Sequence, residues 1–258
     1  MNLNMAIYGA GALLLGVIGL VTQDFALQWQ PVPDSLPLHA VLANLSALLL
    51  LAGGALLFTR RWREGTLVLG LLYALWALAL HGPKVVRQPL DVGVWLGFCE
   101  IAGLASAGLL AWATLAQPED HRVRRIGHVV FGTCLLIYGT SHFVYADFSA
   151  TMIPGWLPMP LFWVWLTGSG HIAAGLSLIT GIAVRLSTTL LAMMVGCFVL
   201  LLHVPRVIAA PTSRLEWTML GVSLSLLGAA WIVRTSAMRA PLPVRLASAS
   251  SAVAGTVP

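Results

Sequence analysis

The sequence predicts an all-α polytopic membrane protein, with eight transmembrane helices set as two parallel four-helix repeats. Three observations carry this. Hydrophobic residues make up 59% of the 258 and charged residues only 9%, more apolar surface than a soluble chain of this length can cover. Apolar runs lie near residues 5–23, 38–58, 66–82, 92–115, 126–146, 160–181, 187–203 and 215–234. Each approaches the ~20 residues that ~30 Å of hydrocarbon requires, the third and seventh being short. The third observation is an internal repeat.

His81-Gly82-Pro83-Lys84-Val85 and His203-Val204-Pro205-Arg206-Val207 stand 122 residues apart, followed in register by Pro89 and Pro211 and by Trp95 and Trp217. Tyr8 to Phe25 aligns without a gap with Phe131 to Phe148, and Val32 to Leu38 with Ile153 to Met159. The domain reading is a first repeat at 1–116, a cytoplasmic linker at 117–125, a second repeat at 126–238 and a disordered tail at 239–258. With four spans per unit, both copies point the same way, related by a pseudo-two-fold axis along the membrane normal.

Charge placement sets the expected orientation. Arg60, Arg61, Arg63, Arg122, Arg124, Arg125, Arg185, Arg234, Arg239 and Arg245 fall on one side, while Lys84, Arg87, Arg206 and Arg214 fall on the other. The positive-inside rule then makes both termini cytoplasmic. The net charge of +5 therefore carries no nucleic-acid signal. The first apolar run lacks a basic n-region and belongs to the repeat, so it reads as a spanning helix and not a signal peptide.

Taken in order, helix 1 leads to an outer loop with Asp24, Trp29, Pro31, Pro33 and Pro37, where Trp29 suits the interfacial belt. Helix 2 stops at an anchor of Arg60, Arg61 and Arg63. Helix 3 climbs to His81, where Pro83 is expected to kink or end the helix and free carbonyls around Leu78 and Ala79. Helix 4 carries Glu100 about two turns inside. Helix 5 gains Tyr138, Ser141, His142 and Tyr145 where the first copy has Leu15, Ile18, Gly19 and Thr22, and helix 6 adds Thr167 and His171. Helix 7 ends at His203, and helix 8 opens with Glu216-Trp217. The second half holds the polar additions, so it is expected to work while the first half scaffolds.

Gly139-Thr140-Ser141-His142-Phe143, Ile153-Pro154-Gly155-Trp156-Leu157-Pro158, Thr167-Gly168, His171-Ile172-Ala173-Ala174-Gly175 and His203-Val204-Pro205-Arg206 together resemble the DoxX family. The resemblance covers most of residues 127–234, with the first repeat a degenerate copy. It implies a four-helix membrane unit associated with redox chemistry, including quinone-linked thiosulfate oxidation and oxidative-stress assemblies. In distant relatives it implies assembly factors for other membrane proteins. The duplication departs from the single unit usual in that family.

The candidate residues fall into groups. His81 with Lys84, and His203 with Arg206, each place an imidazole and a cation about one turn apart, suited to an anion such as a sulfur oxyanion, a semiquinone or a lipid phosphate. The plainer reading is a histidine at a helix end beside a snorkelling cation. His142 and His171, joined by His203, suit proton exchange with a quinone or ligation of a b-type haem, or else plain interhelical hydrogen bonds. A metal site is not expected, since no two histidines fall at i, i+3 or i+4.

Glu100 is expected to meet an outer-face cation or a histidine, because a carboxylate in hydrocarbon must be paired. Glu216 suits either the pocket or the N-terminus of helix 8. Asp24 and Asp147 read as helix-end turn residues. Cys99, Cys134 and Cys197 lie one to a helix with no Cys-x-x-Cys, against a thiol relay. Glycines such as Gly9, Gly16, Gly168 and Gly175 read as packing seams.

The expectation is one outer-leaflet pocket. His142, His171, His203 and Arg206 act in it, with His81, Lys84, Glu100, Trp156 and Glu216 contacting the ligand. A quinone or small anion is the expected ligand, with haem an alternative, in a membrane-bound quinone-linked oxidoreductase subunit served by a membrane or periplasmic redox partner. The competing expectation is a non-enzymatic assembly or docking protein that uses the prolines and tryptophans of 149–165, Trp156 above all.

Overall fold

A computed structural model describes residues 3–59, 61–116 and 120–238. The expected tail at 239–258, Arg60 of the anchor and Gln117-Pro118-Glu119 of the linker lie outside the described residues. Eight helices are long and apolar enough to cross a membrane: α1 (Leu3–Thr22), α2 (His39–Leu56), α3 (Trp62–Arg87), α4 (Val92–Ala116), α5 (His121–Val144), α6 (Pro160–Thr180), α7 (Val184–Ala209) and α8 (Arg214–Met238). No strand occurs among the described residues, so the chain is an all-α multi-pass membrane protein. The end of the bundle that carries both His-x-Pro segments is the His-Pro end; the other is the arginine end.

Three boundaries differ from expectation, each for a local reason. The expected linker at 117–125 is shorter, because Asp120 caps α5 by accepting from the N–H groups of Arg122 (2.8 Å) and Val123 (3.1 Å), so helix begins at His121. Helices α3 and α7 are not short: each runs 26 residues, straight past its proline. Neither Pro83 nor Pro205 ends its helix. A π turn precedes each, at Ala77–His81 and Phe198–His203, and the N–H groups of Gly82 and Val204 reach back five residues to the carbonyls of Ala77 and Val199. One wider turn gives the ring room against the preceding turn, where a proline in regular helix would clash. His81 and His203 therefore sit inside continuous helices, not at broken ends.

The recurring Pro and Trp also have a physical reason. The Trp95 indole N–H donates to the Pro89 carbonyl at 2.8 Å, and Trp217 donates to Pro211 at 2.8 Å. Each bond ties the turn after an odd-numbered helix to the first turn of the next. Trp163 repeats the device on Pro158 at 2.9 Å, while Trp165, half exposed, points outward.

Consecutive helices pack from α1 through to α8, α8 packs back on α1, and α4 also packs on α8. This set of neighbours is unchanged when every helix is replaced by the one four further on. The seams match residue by residue. A Cβ on Gly9 would stand 2.9 Å from the Gly54 carbonyl oxygen, and one on Gly132 would stand 2.9 Å from that of Gly175, the positions equivalent by the repeat. Gly16 meets Ala47 in the same way that Gly139 meets Gly168. Without a hydrophobic drive between helices in lipid, such close backbone contact is what holds them.

The tightest seam joins the first helix to the last. A Cβ on Gly228 would fall 2.3 Å from the backbone nitrogen of Tyr8, which no side-chain rearrangement relieves. Tyr8, fully buried, donates its hydroxyl to the Leu104 carbonyl at 2.8 Å, so the seam also positions α4. Gly228→Val should lower the unfolding midpoint in detergent by the equivalent of ~3 kcal/mol or more, or abolish monodisperse protein. A wild-type midpoint in that variant would remove the seam from the account.

Candidate functional site

The α1–α2 loop folds inward. Gln30 holds it, with its side-chain oxygen accepting from the Ala26 N–H (3.1 Å) and its amide donating to Ser46 Oγ on α2 (2.7 Å). Trp29 is carried into the core at 5% exposure, so it does not belong to the interfacial belt. Both its polar ends are used. Its carbonyl accepts from His81 Nε2 at 3.1 Å, and its indole N–H donates to Glu100 Oε2 at 2.8 Å. A carbonyl only accepts, which fixes the proton of His81 on Nε2. Glu100 therefore meets neither a cation nor a histidine directly; a tryptophan bridges it to His81. Lys84 is exposed and makes no ion pair among the described residues.

In the second half, Arg206 is committed to Glu216, its Nε and Nη2 donating to the two carboxylate oxygens at 2.9 and 2.8 Å. This bidentate pair joins α7 to α8 across the turn and neutralises both charges. His203 is buried within electrostatic reach of both, and its Nδ1 has no hydrogen-bond partner.

His142 and His171 come together. Their ring centroids are 5.3 Å apart with planes tilted by 52°. The seam glycines place His142 well nearer the His-Pro end than His171, yet the rings touch. Side chains lean toward the N-terminus of their helix, and in an antiparallel pair they lean toward one another. His142 Nδ1 lies 3.2 Å from the Val164 carbonyl and 3.1 Å from Thr167 Oγ1. The Val164 carbonyl fixes the Nδ1 proton and leaves Nε2 as the open nitrogen. His171 is 5% exposed and its Nδ1 makes no well-formed hydrogen bond, with the Thr167 backbone one turn earlier in reach of the ring. Phe198, the first residue of the π turn in α7, covers both rings at 6.4 and 6.1 Å, and Tyr138 meets His171 edge-on at 5.7 Å.

The expected single pocket is thus three groups. His142 and His171 form the cluster between α5, α6 and α7. Arg206, Glu216 and His203 lie between α7 and α8, and His81 and Glu100 meet through Trp29 in the first half. Trp156 is 67% exposed in the α5–α6 loop and touches none of these in any hydrogen bond or ring contact. Two imidazoles already in ring contact leave no gap for a macrocycle, so a haem ligated by His142 and His171 together does not fit. No group of three or more His, Cys, Asp or Glu that could hold a metal ion occurs among the described residues.

Asp24 does more than end a helix. Its carboxylate accepts from Arg214 Nη1 at 2.9 Å and from the Phe25 N–H at 2.7 Å, with His39 Nε2 3.7 Å away. Arg214 also donates to the Phe25 carbonyl. Burial works to raise the Asp24 carboxyl, but the Arg214 hydrogen bond, the Phe25 N–H and the nearby charges outweigh it and hold it below the usual carboxylate range. A depressed carboxylate stabilises the fold above its unfolded value of about 3.9, and that contribution is lost as pH falls through the lower folded value. The tie between the α1–α2 loop and α8 should therefore loosen below about pH 4, seen as proteolysis in the 24–38 loop that Asp24→Asn already shows at pH 7. A cleavage rate that does not change between pH 7 and pH 3 would contradict this.

No protein-family model, curated protein or solved structure matches this chain.

Proposed function

We propose that this chain is a DoxX-like protein of a bacterial inner membrane that binds a quinone head group beside His142 and His171. It would serve as a redox-associated subunit whose electron partner is another membrane or periplasmic protein. The arginine end is read as cytoplasmic, since Arg61, Arg63, Arg122, Arg124, Arg125, Arg185 and Arg234 lie there. The His-Pro end then lies in the outer leaflet. The neighbour pattern that repeats every four helices supports two parallel copies about an axis along the membrane normal.

The observation that carries the reading is a buried imidazole, His171, whose Nδ1 makes no well-formed hydrogen bond, beside an aromatic face and with only the Thr167 backbone of its own helix in reach. A buried polar atom left alone costs ~1–3 kcal/mol, which a ligand oxygen recovers. Arg206, the second-half cation expected to receive an anion, is already neutralised by Glu216, which favours an uncharged ring with carbonyl oxygens over an anion there. When bound, the quinone supplies two-electron redox chemistry. His171 would hold its oxygen, Phe198 would pack on its ring, and His142, with Nε2 open, would move the proton toward the His-Pro end.

Titration with a decyl-chain quinone tests this. Saturation at one per chain, weakened by Phe198→Ala, is expected; unsaturable partitioning identical in both proteins overturns it. A second reading, partner docking, is favoured by the exposed Phe148, Trp156 and Met159 around the α5–α6 loop. A stoichiometric co-purifying protein lost in Trp156→Ala but kept in His171→Leu would select it.

A further inference from the structure

At the arginine end, two guanidiniums bridge the groove between α7 and α8 about one helical turn apart. Arg234 Nε on α8 donates to Thr189 Oγ1 on α7 at 2.9 Å, and Arg185 Nη2 on α7 donates to the Met238 carbonyl on α8 at 3.3 Å. Thr189 Oγ1 in turn donates to the Arg185 carbonyl at 2.7 Å, so the hydroxyl that orients Arg234 is itself fixed. The Arg234 guanidinium also lies over the Trp231 ring, 4.8 Å from its centroid. Held at Nε and packed on an indole, Arg234 presents two Nη groups that make no hydrogen bond or ion pair among the described residues. The described acids at this end are engaged elsewhere, Glu64 with Arg61 at 3.3 Å and Asp120 in capping α5. By the repeat, Arg185 matches Arg63, but Thr189 and Arg234 stand where the first half has Leu67 and Trp112. There Arg63 lies over the Trp112 ring at 5.8 Å, so the second groove has gained a cation and a hydroxyl that the first lacks at these positions.

We propose that the α7–α8 groove at the arginine end binds the phosphodiester of an anionic phospholipid from the leaflet it faces. The inference stands independently of the quinone reading. Arg234 donates its Nη groups to the phosphate oxygens, the fork geometry that suits phosphate, and Arg185 adds a second positive charge one turn away. The acyl chains run along Leu186, Leu190 and Met193, an exposed apolar stripe that leads from the groove up α7. A zwitterionic lipid brings an ammonium to a groove that already holds two cations, so an anionic head group is selected. The bound lipid ties α7, the helix of Phe198 and His203, to α8 at the end away from those residues.

The test uses the full chain in a neutral detergent, titrated with dioleoyl phosphatidylglycerol or dioleoyl phosphatidylcholine and read by native mass spectrometry for the first lipid retained. Phosphatidylglycerol should bind at least about tenfold more tightly than phosphatidylcholine, each arginine near an anionic head group contributing about fivefold. Arg234→Gln should lose about fivefold of that preference, while Arg63→Gln, the first-half counterpart of Arg185, keeps it whole. Thr189→Val, which keeps the charge and releases Nε, should lower the preference by less. Equal retention of the two lipids, or a full preference in Arg234→Gln, overturns the site. If Arg234→Gln does not fold, a full preference in Thr189→Val overturns it instead. Excess inorganic phosphate, which has no acyl chains, should leave the lipid bound; displacement by it would make the groove a site for a soluble phosphate and overturn the lipid assignment.

Discussion

His171→Leu should weaken quinone binding at least about tenfold, ~1.4 kcal/mol, and leave the unfolding midpoint unchanged or raised. The equivalent residue of the first half is Leu50, 2% exposed at the matching level of α2, so the bundle already accepts leucine there. The histidine it replaces carries a core nitrogen without a well-formed hydrogen bond, and replacing such a group by an apolar one of similar volume is neutral or favourable. A histidine kept for structure behaves the opposite way, losing midpoint on substitution. Binding by dialysis and unfolding in the same detergent separate the two: full binding with a lowered midpoint would make His171 a packing residue.

Trp29→Phe should be the most damaging single change at the His-Pro end. It keeps an aromatic ring, smaller than the indole, and removes the indole N–H, the one hydrogen bond the structure gives the Glu100 carboxylate. A carboxylate without a partner inside hydrocarbon must protonate or drag water inward, and losing a bond to a charged group in this setting costs ~2–4 kcal/mol. Trp29→Phe combined with Glu100→Leu should regain the part due to the unpaired carboxylate, leaving only the cost of the smaller ring. A single and a double variant with equal midpoints would mean that Glu100 draws its stability elsewhere.

The spans were legible because spanning needs only an apolar run of sufficient length, and the repeat because motif and seam residues keep their register. The contacts within the candidate site were less so. His81 finds its acceptor 52 residues away, on a loop whose prolines and tryptophan read as an interface anchor. Phe198 and His203 are five apart, a spacing that regular helix puts on different faces and a π turn brings toward one. Arg206 read as free because its partner lies beyond a turn, on the next helix. The pairing of His142 with His171 was closer to the surface of the sequence: both are second-half additions, and the glycine seams of α5 and α6 set their levels.

The most direct test of the central claim is to count the quinone that stays with the protein when it is isolated in its native lipid. Wild-type protein extracted with organic solvent should give close to one quinone per chain above the level in the surrounding lipid, and His171→Leu should give none above it. Equal quinone in both proteins, or none in either, would contradict a head-group site at His142 and His171.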